Sequence, residues 1–333
     1  MTKYYFQKPD FKKLNKEGIV GVDMHFHTQY SMDGISKVEN ALRKAKNLGF
    51  GFAITDHNEI KGVQKAVKLN KKKVFFVPGI EITTKIGSHI LVYSTHASNL
   101  ISWFDKKIKP LKAKNPFFIQ KTFSEILDMA KSNGFYVGVP HPYGAGITGV
   151  MNSEEKFNIK KIDFIEGING VCFRSMNKKA IAWAKKANKG MSAGTDAHNT
   201  SEMGKTLCFS DTDSLDDFYK LIKKGKNMIG GYEVNIFPDA IETLEKFIRE
   251  GEKEGKGIIK LYESRFGTEW PYFKKKFEKL GSHFHHFYMH HHYQRKKEKE
   301  HPIDEHHLKW LKKHKHFKHL LDNKKVNSKL KHI

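Results

Sequence analysis

The chain has 333 residues, 38% hydrophobic and 29% charged, with 60 Lys plus Arg against 36 Asp plus Glu for a formal charge of +24. That length and apolar share support one large domain or two modest ones and rule out a peptide scaffold. Two cysteines, Cys172 and Cys208, exclude a disulfide framework or a Cys-based zinc module, and the positive field favours anionic partners such as nucleic acid, nucleotides, phosphorylated metabolites or acidic lipid. No stretch approaches the roughly 18–20 apolar residues of a membrane span, and residues 1–10 lack an apolar signal segment. The expectation is a cytoplasmic protein without membrane insertion.

After an N-terminal segment (1–19), short apolar runs alternate with amphipathic stretches through residues 20–235, the signature of repeated β-α units. Strands are expected at 21–25, 51–55, 74–78, 89–93, 136–139, 163–168 and 191–194. Helices are expected at 38–48, 122–132 and 177–187, the second ending before Asn133-Gly134. More than four such repeats favour a barrel-like or doubly wound α/β domain, and periodicity does not choose between them. A helical extension follows at 236–280. Residues 281–333 form a basic tail that holds 13 of the 20 histidines and is expected to be partly disordered.

Of the other seven histidines, six lie at strand ends beside carboxylates. His25 and His27 end the first strand in Asp23-Met24-His25-Phe26-His27, Asp56-His57 ends the second, and Glu81 follows the third. His89 opens the next strand and must reach the same rim from a short hairpin, whereas His141 and the pair Asp196-x-His198 each follow a later strand. Groups at the C-terminal ends of parallel strands converge on one face. Residues two apart on a strand point the same way, so His25 and His27 can share an ion. A single histidine is more simply a satisfied, half-buried ring, and the signal lies in the set. His96 has no spacing partner and reads as a loop residue, and both cysteines read as packing residues.

These residues together resemble the PHP family, the polymerase and histidinol phosphatase domain of metal-dependent phosphoesterases. The resemblance runs from about residue 20 to 210, through the H-x-H opening, Ser31-Met32-Asp33-Gly34, Thr55-Asp56-His57, Gly79-Ile80-Glu81, His89, His141-Pro142 and Gly194-Thr195-Asp196-Ala197-His198. It implies an α/β fold, a distorted seven-fold β/α (TIM-like) barrel, with two or three divalent ions of zinc, manganese or iron. Carried over position by position, His25, His27, Glu81 and Asp196 hold the first ion. Glu81 bridges to a second held by His89 and His141, and Asp33, His57 and His198 hold the third. Some members have His where this chain has Asp33. Asp23 and Asp56 are candidates to orient ligand histidines, or else to cap loops.

The chemistry so implied is hydrolysis of a phosphate ester, with His25, His27, Glu81, Asp196 and His198 as the catalytic group. Only five of the 60 basic residues are Arg. Arg174, just after a strand, is therefore a candidate phosphate clamp, with Asn169 and Lys205 as weaker substrate contacts and a surface role as the alternative. The leading expectation is a phosphoesterase acting on nucleotides or the 5′ ends of short nucleic acids. A small-metabolite phosphatase such as histidinol-phosphate phosphatase and a non-catalytic nucleic-acid-binding accessory protein are the alternatives. The tail reads as solvated chain, as a metal buffer through His283, His285, His286 and His290, or as a nucleic-acid contact through its lysines.

Overall fold

A computed structural model describes residues 1–233 except 72–73, 113–116, 145–147, 154 and 213. The expected helical extension and the His/Lys-rich tail lie outside the described residues.

In chain order the described elements are β1 (Lys3–Tyr5), α1 (Phe11–Lys16), β2 (Val20–Asp23), α2 (Val38–Leu48), β3 (Gly51–Ile54), α3 (Lys61–Asn70), β4 (Phe76–Thr83), β5 (His89–Tyr93), α4 (Ala97–Trp103), α5 (Phe123–Ser132), β6 (Tyr136–Val139), β7 (Phe164–Asn169), α6 (Arg174–Lys186), β8 (Gly190–Gly194), β9 (Thr206–Ser210), α7 (Leu215–Lys223) and β10 (Met228–Gly231). Local chemistry sets the helix ends. Thr122 and Glu125 form a reciprocal capping box at the start of α5. Gly49 ends α2 in a left-handed conformation with φ +72°.

All ten described strands join one sheet in the order β1-β10-β9-β2-β3-β4-β5-β6-β7-β8. Neighbours from β2 to β4 and from β6 to β8 are parallel, whereas β5 runs antiparallel to both β4 and β6. The sheet curls until the chain after β2 meets β8. Met24 N–H donates to Ala193 O (3.2 Å), Asp196 N–H to His25 O (2.7 Å) and His27 N–H to Ala197 O (3.0 Å). Gly194 permits this contact, because a Cβ there would overlap the backbone nitrogen and Cβ of His25. Inside the curl Met24, Phe26, Phe52, Ile54, Tyr93 and Phe164 are fully buried.

Each of the seven expected strands falls on an observed one, and the expected helices at 38–48 and 122–132 match α2 and α5 to within a residue. The structure adds β1, β9 and β10, so the sheet has ten described strands where the sequence leads one to expect seven. These three are five residues or shorter, and β1 pairs with β10 across more than 220 residues, a partnership no local pattern reveals. Strand β4 also runs through Glu81 instead of stopping before it, because β5 pairs with it antiparallel, placing Glu81 opposite Leu91 and Thr83 opposite His89. That is the hairpin His89 needs to reach the rim. Among the described residues no helix is long and apolar enough to cross a membrane.

Candidate metal centre

The rim is built by strand ends that continue as bonded, extended chain. Single bridges pair Phe26 with Ala197 and His57 with Glu81. Three residues here adopt positive φ without being glycine: Asn58 (+49°), His141 (+23°) and Asp196 (+52°). Such conformations cost on the order of 1–3 kcal/mol each and gather at functional sites. Hydrogen bonds hold all three: Asn58 N–H donates to Glu81 O (2.9 Å), Asp196 N–H to His25 O, and His141 N–H to Glu166 Oε2 (2.8 Å).

The nine candidate ligands form one continuous cluster around Glu81. Glu81 Oε2 lies 3.1 Å from His25 Nε2, 3.2 Å from His27 Nε2 and 3.3 Å from His57 Nδ1. Its other oxygen lies 2.9 Å from His89 Nδ1 and 3.1 Å from His141 Nε2. Asp196 Oδ1 lies 3.0 Å from His27 Nε2 and 3.4 Å from His25 Nε2. Asp33 Oδ2 lies 3.0 Å from His198 Nε2 and 3.4 Å from His57 Nε2. Three groups have ligand atoms mutually within 4.8 Å: His25, His27, Glu81 and Asp196; His57, Glu81 and His89; and His27, Asp33, His57 and His198. His57 thus joins Glu81 and His89 in one group, while His141 meets the same Glu81 oxygen as His89.

Burial opposes every charge in this cluster, and the carboxylate–histidine contacts overcome it at most positions. Burial pushes the Glu81 carboxyl up, but His25, His89 and His57 hold it well below the usual carboxylate range. Asp33, also raised by burial, is held well below by His198 and His57, and Asp196 is held down against burial by His25 and His27. Reciprocally, Glu81 and Asp33 raise His57 to about 9 against burial, and Asp33 raises His198 to about 9. His89 moves the other way, to about 4, because burial outweighs Glu81. Imidazole nitrogens facing carboxylates in a buried pocket suit a divalent cation, which would take the place of the ring protons. The mixed N/O set fits zinc, manganese or iron better than an all-oxygen magnesium site. Two buried ring nitrogens, His89 Nδ1 and His141 Nδ1, lack a hydrogen-bond partner among the described residues, the first despite its short approach to Glu81.

Of the two roles open to Asp23 and Asp56, the contacts are those of loop caps. Asp23 accepts from Thr195 N–H (2.8 Å), Thr195 Oγ1 (2.6 Å) and Gly204 N–H (2.9 Å), and Asp56 from Thr28 N–H (2.6 Å) and Thr28 Oγ1 (2.7 Å). Both fasten loops instead of gripping ligand imidazoles, and burial raises each carboxyl to about 6. The carboxylate behind His25 is Glu166, buried in β7. Its Oε1 lies 3.1 Å from His25 Nδ1, and its Oε2 accepts from His141 N–H and from Asn169 Nδ2 (2.9 Å). Ser31 Oγ lies 3.3 Å from His27 Nδ1 and donates to Asp33 Oδ1 (2.7 Å). A lone acid inside the apolar run Phe164-Ile165-Glu166-Gly167-Ile168 is the signal that marks Glu166 in the sequence.

The expected substrate contacts fare differently. Asn169 is fully buried, and its amide donates to Glu166 Oε2 and to Asp196 Oδ2 (3.1 Å), behind the ligands. Arg174 opens α6 with its fork on Glu233, Nε to Oε1 at 2.5 Å and Nη2 to Oε2 at 2.7 Å, and its guanidinium lies 4.2 Å from the Phe6 ring centroid. The planar fork expected to clamp phosphate is therefore occupied by a carboxylate. Lys205 pairs with Glu202. His96 caps α4 from a loop, and both cysteines are buried, free and pushed up by burial, Cys208 to about 12.

The PHP domain family model matches residues 23–136, and the PHP-associated model matches residues 174–227. Two uncharacterized proteins of Methanocaldococcus jannaschii are similar to this chain. One is 27% identical over 189 residues, covering 55% of this chain and 67% of the relative; the other is 32% identical over 132 residues, covering 36% and 67%. A solved structure of Endonuclease Q in complex with a 27-mer duplex substrate with an abasic lesion at the active site shares the fold, with a TM-score of 0.51, 19% identity, and coverage of 65% of this chain and 60% of that one. Since the PHP model runs through the H-x-H segment, the Asp56-His57 turn and the Glu81–His89 hairpin that surround the shared carboxylate, the chain belongs to the PHP domain family.

Proposed function

We propose that the chain is a metal-dependent phosphoesterase that hydrolyses phosphate esters of nucleotides or of the 5′ ends of short nucleic acids in the cytoplasm. The observation that carries the reading is the sharing of Glu81: one buried carboxylate, with imidazole nitrogens against both of its oxygens, joins the ligand groups into a single cluster. His25, His27, Glu81 and Asp196 would hold one divalent ion, Glu81 with His89 and His141 a second, and Asp33, His57 and His198 a third. Zinc, manganese or iron bound there would lower the pKa of a water and neutralise phosphoryl oxygens as charge moves to the leaving group.

The chain's own residues prepare that chemistry. Glu166 and Asn169 fix His25, Asp196 and the backbone of His141 from behind, so no ligand has to reorganise when substrate arrives. Asp33 and His198, about one-fifth exposed against zero for His25, His27 and Glu81, form the open side of the cluster, where an ester would enter. The net charge of +24 favours a phosphorylated substrate.

The test is release of phosphate or nucleotide by the purified protein supplied with manganese or zinc. The panel is nucleotides, 5′-phosphorylated oligonucleotides, histidinol phosphate and an aryl phosphate, with Asp196→Asn as control. Turnover of nucleotides or oligonucleotides that the variant loses supports the reading. Turnover of histidinol phosphate alone replaces the substrate class, and metal binding without turnover of any ester overturns the activity.

A further inference from the structure

Helix α6 carries a feature the metal centre does not use. Lys179, Trp183 and Lys186 stand at i, i+4 and i+7, on one face of the helix, and line a groove of about 820 Å³ together with Lys156, Phe157 and Tyr143. Trp183 sits about one turn from each lysine, and the two lysines are roughly 10.5 Å apart along the axis at 1.5 Å per residue. The aromatic floor is anchored: Phe157 packs on the buried Phe123 at 4.6 Å and meets Trp183 at right angles, 6.4 Å between centroids.

The charge offered by this groove is of one sign. Lys156, Lys179 and Lys186 are exposed, and none forms an ion pair among the described residues. The acid among the groove's described lining residues, Glu155, is turned inward: Oε1 accepts from Phe123 N–H (2.9 Å), and Oε2 from Thr84 Oγ1 (3.0 Å) and Ser88 Oγ. The groove adjoins the metal centre along the chain, since Glu155 contacts Ser88, which precedes His89, and the lining residue Tyr143 follows His141 by two residues.

We propose that this groove binds a single strand of nucleic acid, with a base stacked on Trp183 and phosphates against Lys179 and Lys186, and leads it to the metal centre. Unpaired cations beside fixed aromatic rings are the chemistry that holds single strands without reading their sequence. An acidic peptide would satisfy the lysines but leave the aromatic faces without a matching partner. The proposal rests on the nucleic-acid reading of the metal centre and adds the surface that would take the strand.

The test is fluorescence anisotropy of a 5′-labelled twelve-residue oligothymidylate with the full chain, in a chelator that prevents turnover, at several salt concentrations. Lys179→Glu with Lys186→Glu should weaken binding roughly ten-fold or more and flatten the log K against log salt slope by about 1.4, two phosphate contacts at 0.7 each. Trp183→Leu should weaken binding about five-fold or more with the slope unchanged. Manganese-supported hydrolysis of an aryl phosphate should stay at the wild-type rate in both. Unchanged affinity in the lysine pair overturns the groove, as does a wild-type protein that hydrolyses the aryl phosphate but does not bind the oligonucleotide. It is also overturned if polyglutamate binds as tightly as the oligonucleotide and depends on the same lysines. If binding falls in the variants while no ester is ever hydrolysed, the groove stands and the phosphoesterase reading falls.

Discussion

The rim around Glu81 and the outer face of α6 are both dense in ionisable side chains, yet they obey opposite physics. At the rim both signs are present, most of the groups are buried, and each of the three ligand carboxylates, Glu81, Asp196 and Asp33, touches at least two imidazoles. On the groove face of α6 the charges are the exposed lysines Lys179 and Lys186, without a carboxylate partner among the described residues. Removing one member of the buried set strands its neighbours in a low dielectric. Changing one exposed lysine alters only a screened, salt-dependent field. One region is preorganised for chemistry, and the other for loose capture of a polyanion.

The greatest loss should come from breaking the buried set. Asp196→Asn removes a carboxylate that three histidines face and should lower turnover by about 10³-fold, several kcal/mol of charge stabilisation at about 1.36 kcal/mol per decade. Circular dichroism should be unchanged, and near-wild-type rates would sink the assignment. A step behind the ligands, Glu166→Gln keeps the shape of the side chain but weakens its hold on His25. It should cost roughly 10–100-fold in metal affinity or activity, read by competition with a chromogenic chelator. Metal affinity equal to wild type would show that Glu166 does not position the cluster.

Lesser effects belong to the surface. Arg174→Lys breaks a bidentate pair that is nearly half exposed on the Arg side. It should change stability by no more than about 1 kcal/mol and leave the KM for an aryl phosphate where it was, whereas a several-fold rise in KM would restore the clamp reading. Slightest of all, Lys161→Ala removes a solvent-exposed pair with Asp128, 2.6 Å in length. Chemical denaturation should register about 0.5 kcal/mol or less, and a loss of several kcal/mol would show that exposed charges here are not weakly coupled.

Much of the candidate site is legible in the sequence, because its residues lie at strand ends and close local turns. His25-x-His27, Asp56-His57, Asp196-x-His198 and the hairpin between Glu81 and His89 are short-range patterns. What the residues touch is another matter. Asp23 and Asp56 are the natural candidates to orient histidines because they are near them in sequence, yet both turn to threonines and backbone amides. Glu166, 141 positions from His25, takes that role from β7. Arg174 stands out for its chemistry, but its partner Glu233 lies 59 residues on.

Local spacing accounts for the β-α alternation, the amphipathic faces of α2 and α5 and the capping box at Thr122, since each depends on patterns a few positions long, and the family resemblance completes the set of nine clustered residues. Long-range packing supplies the rest: the ten described strands of the sheet, the reversed direction of β5, the service of Glu81 to both sides of the cluster, and the places of Glu166 and Asn169 behind it. The cause of this division is distance along the chain. Periodicity and caps arise within one or two turns of backbone, whereas pairing partners and the neighbours of a buried carboxylate are chosen when the curl of the sheet brings β2 against β8.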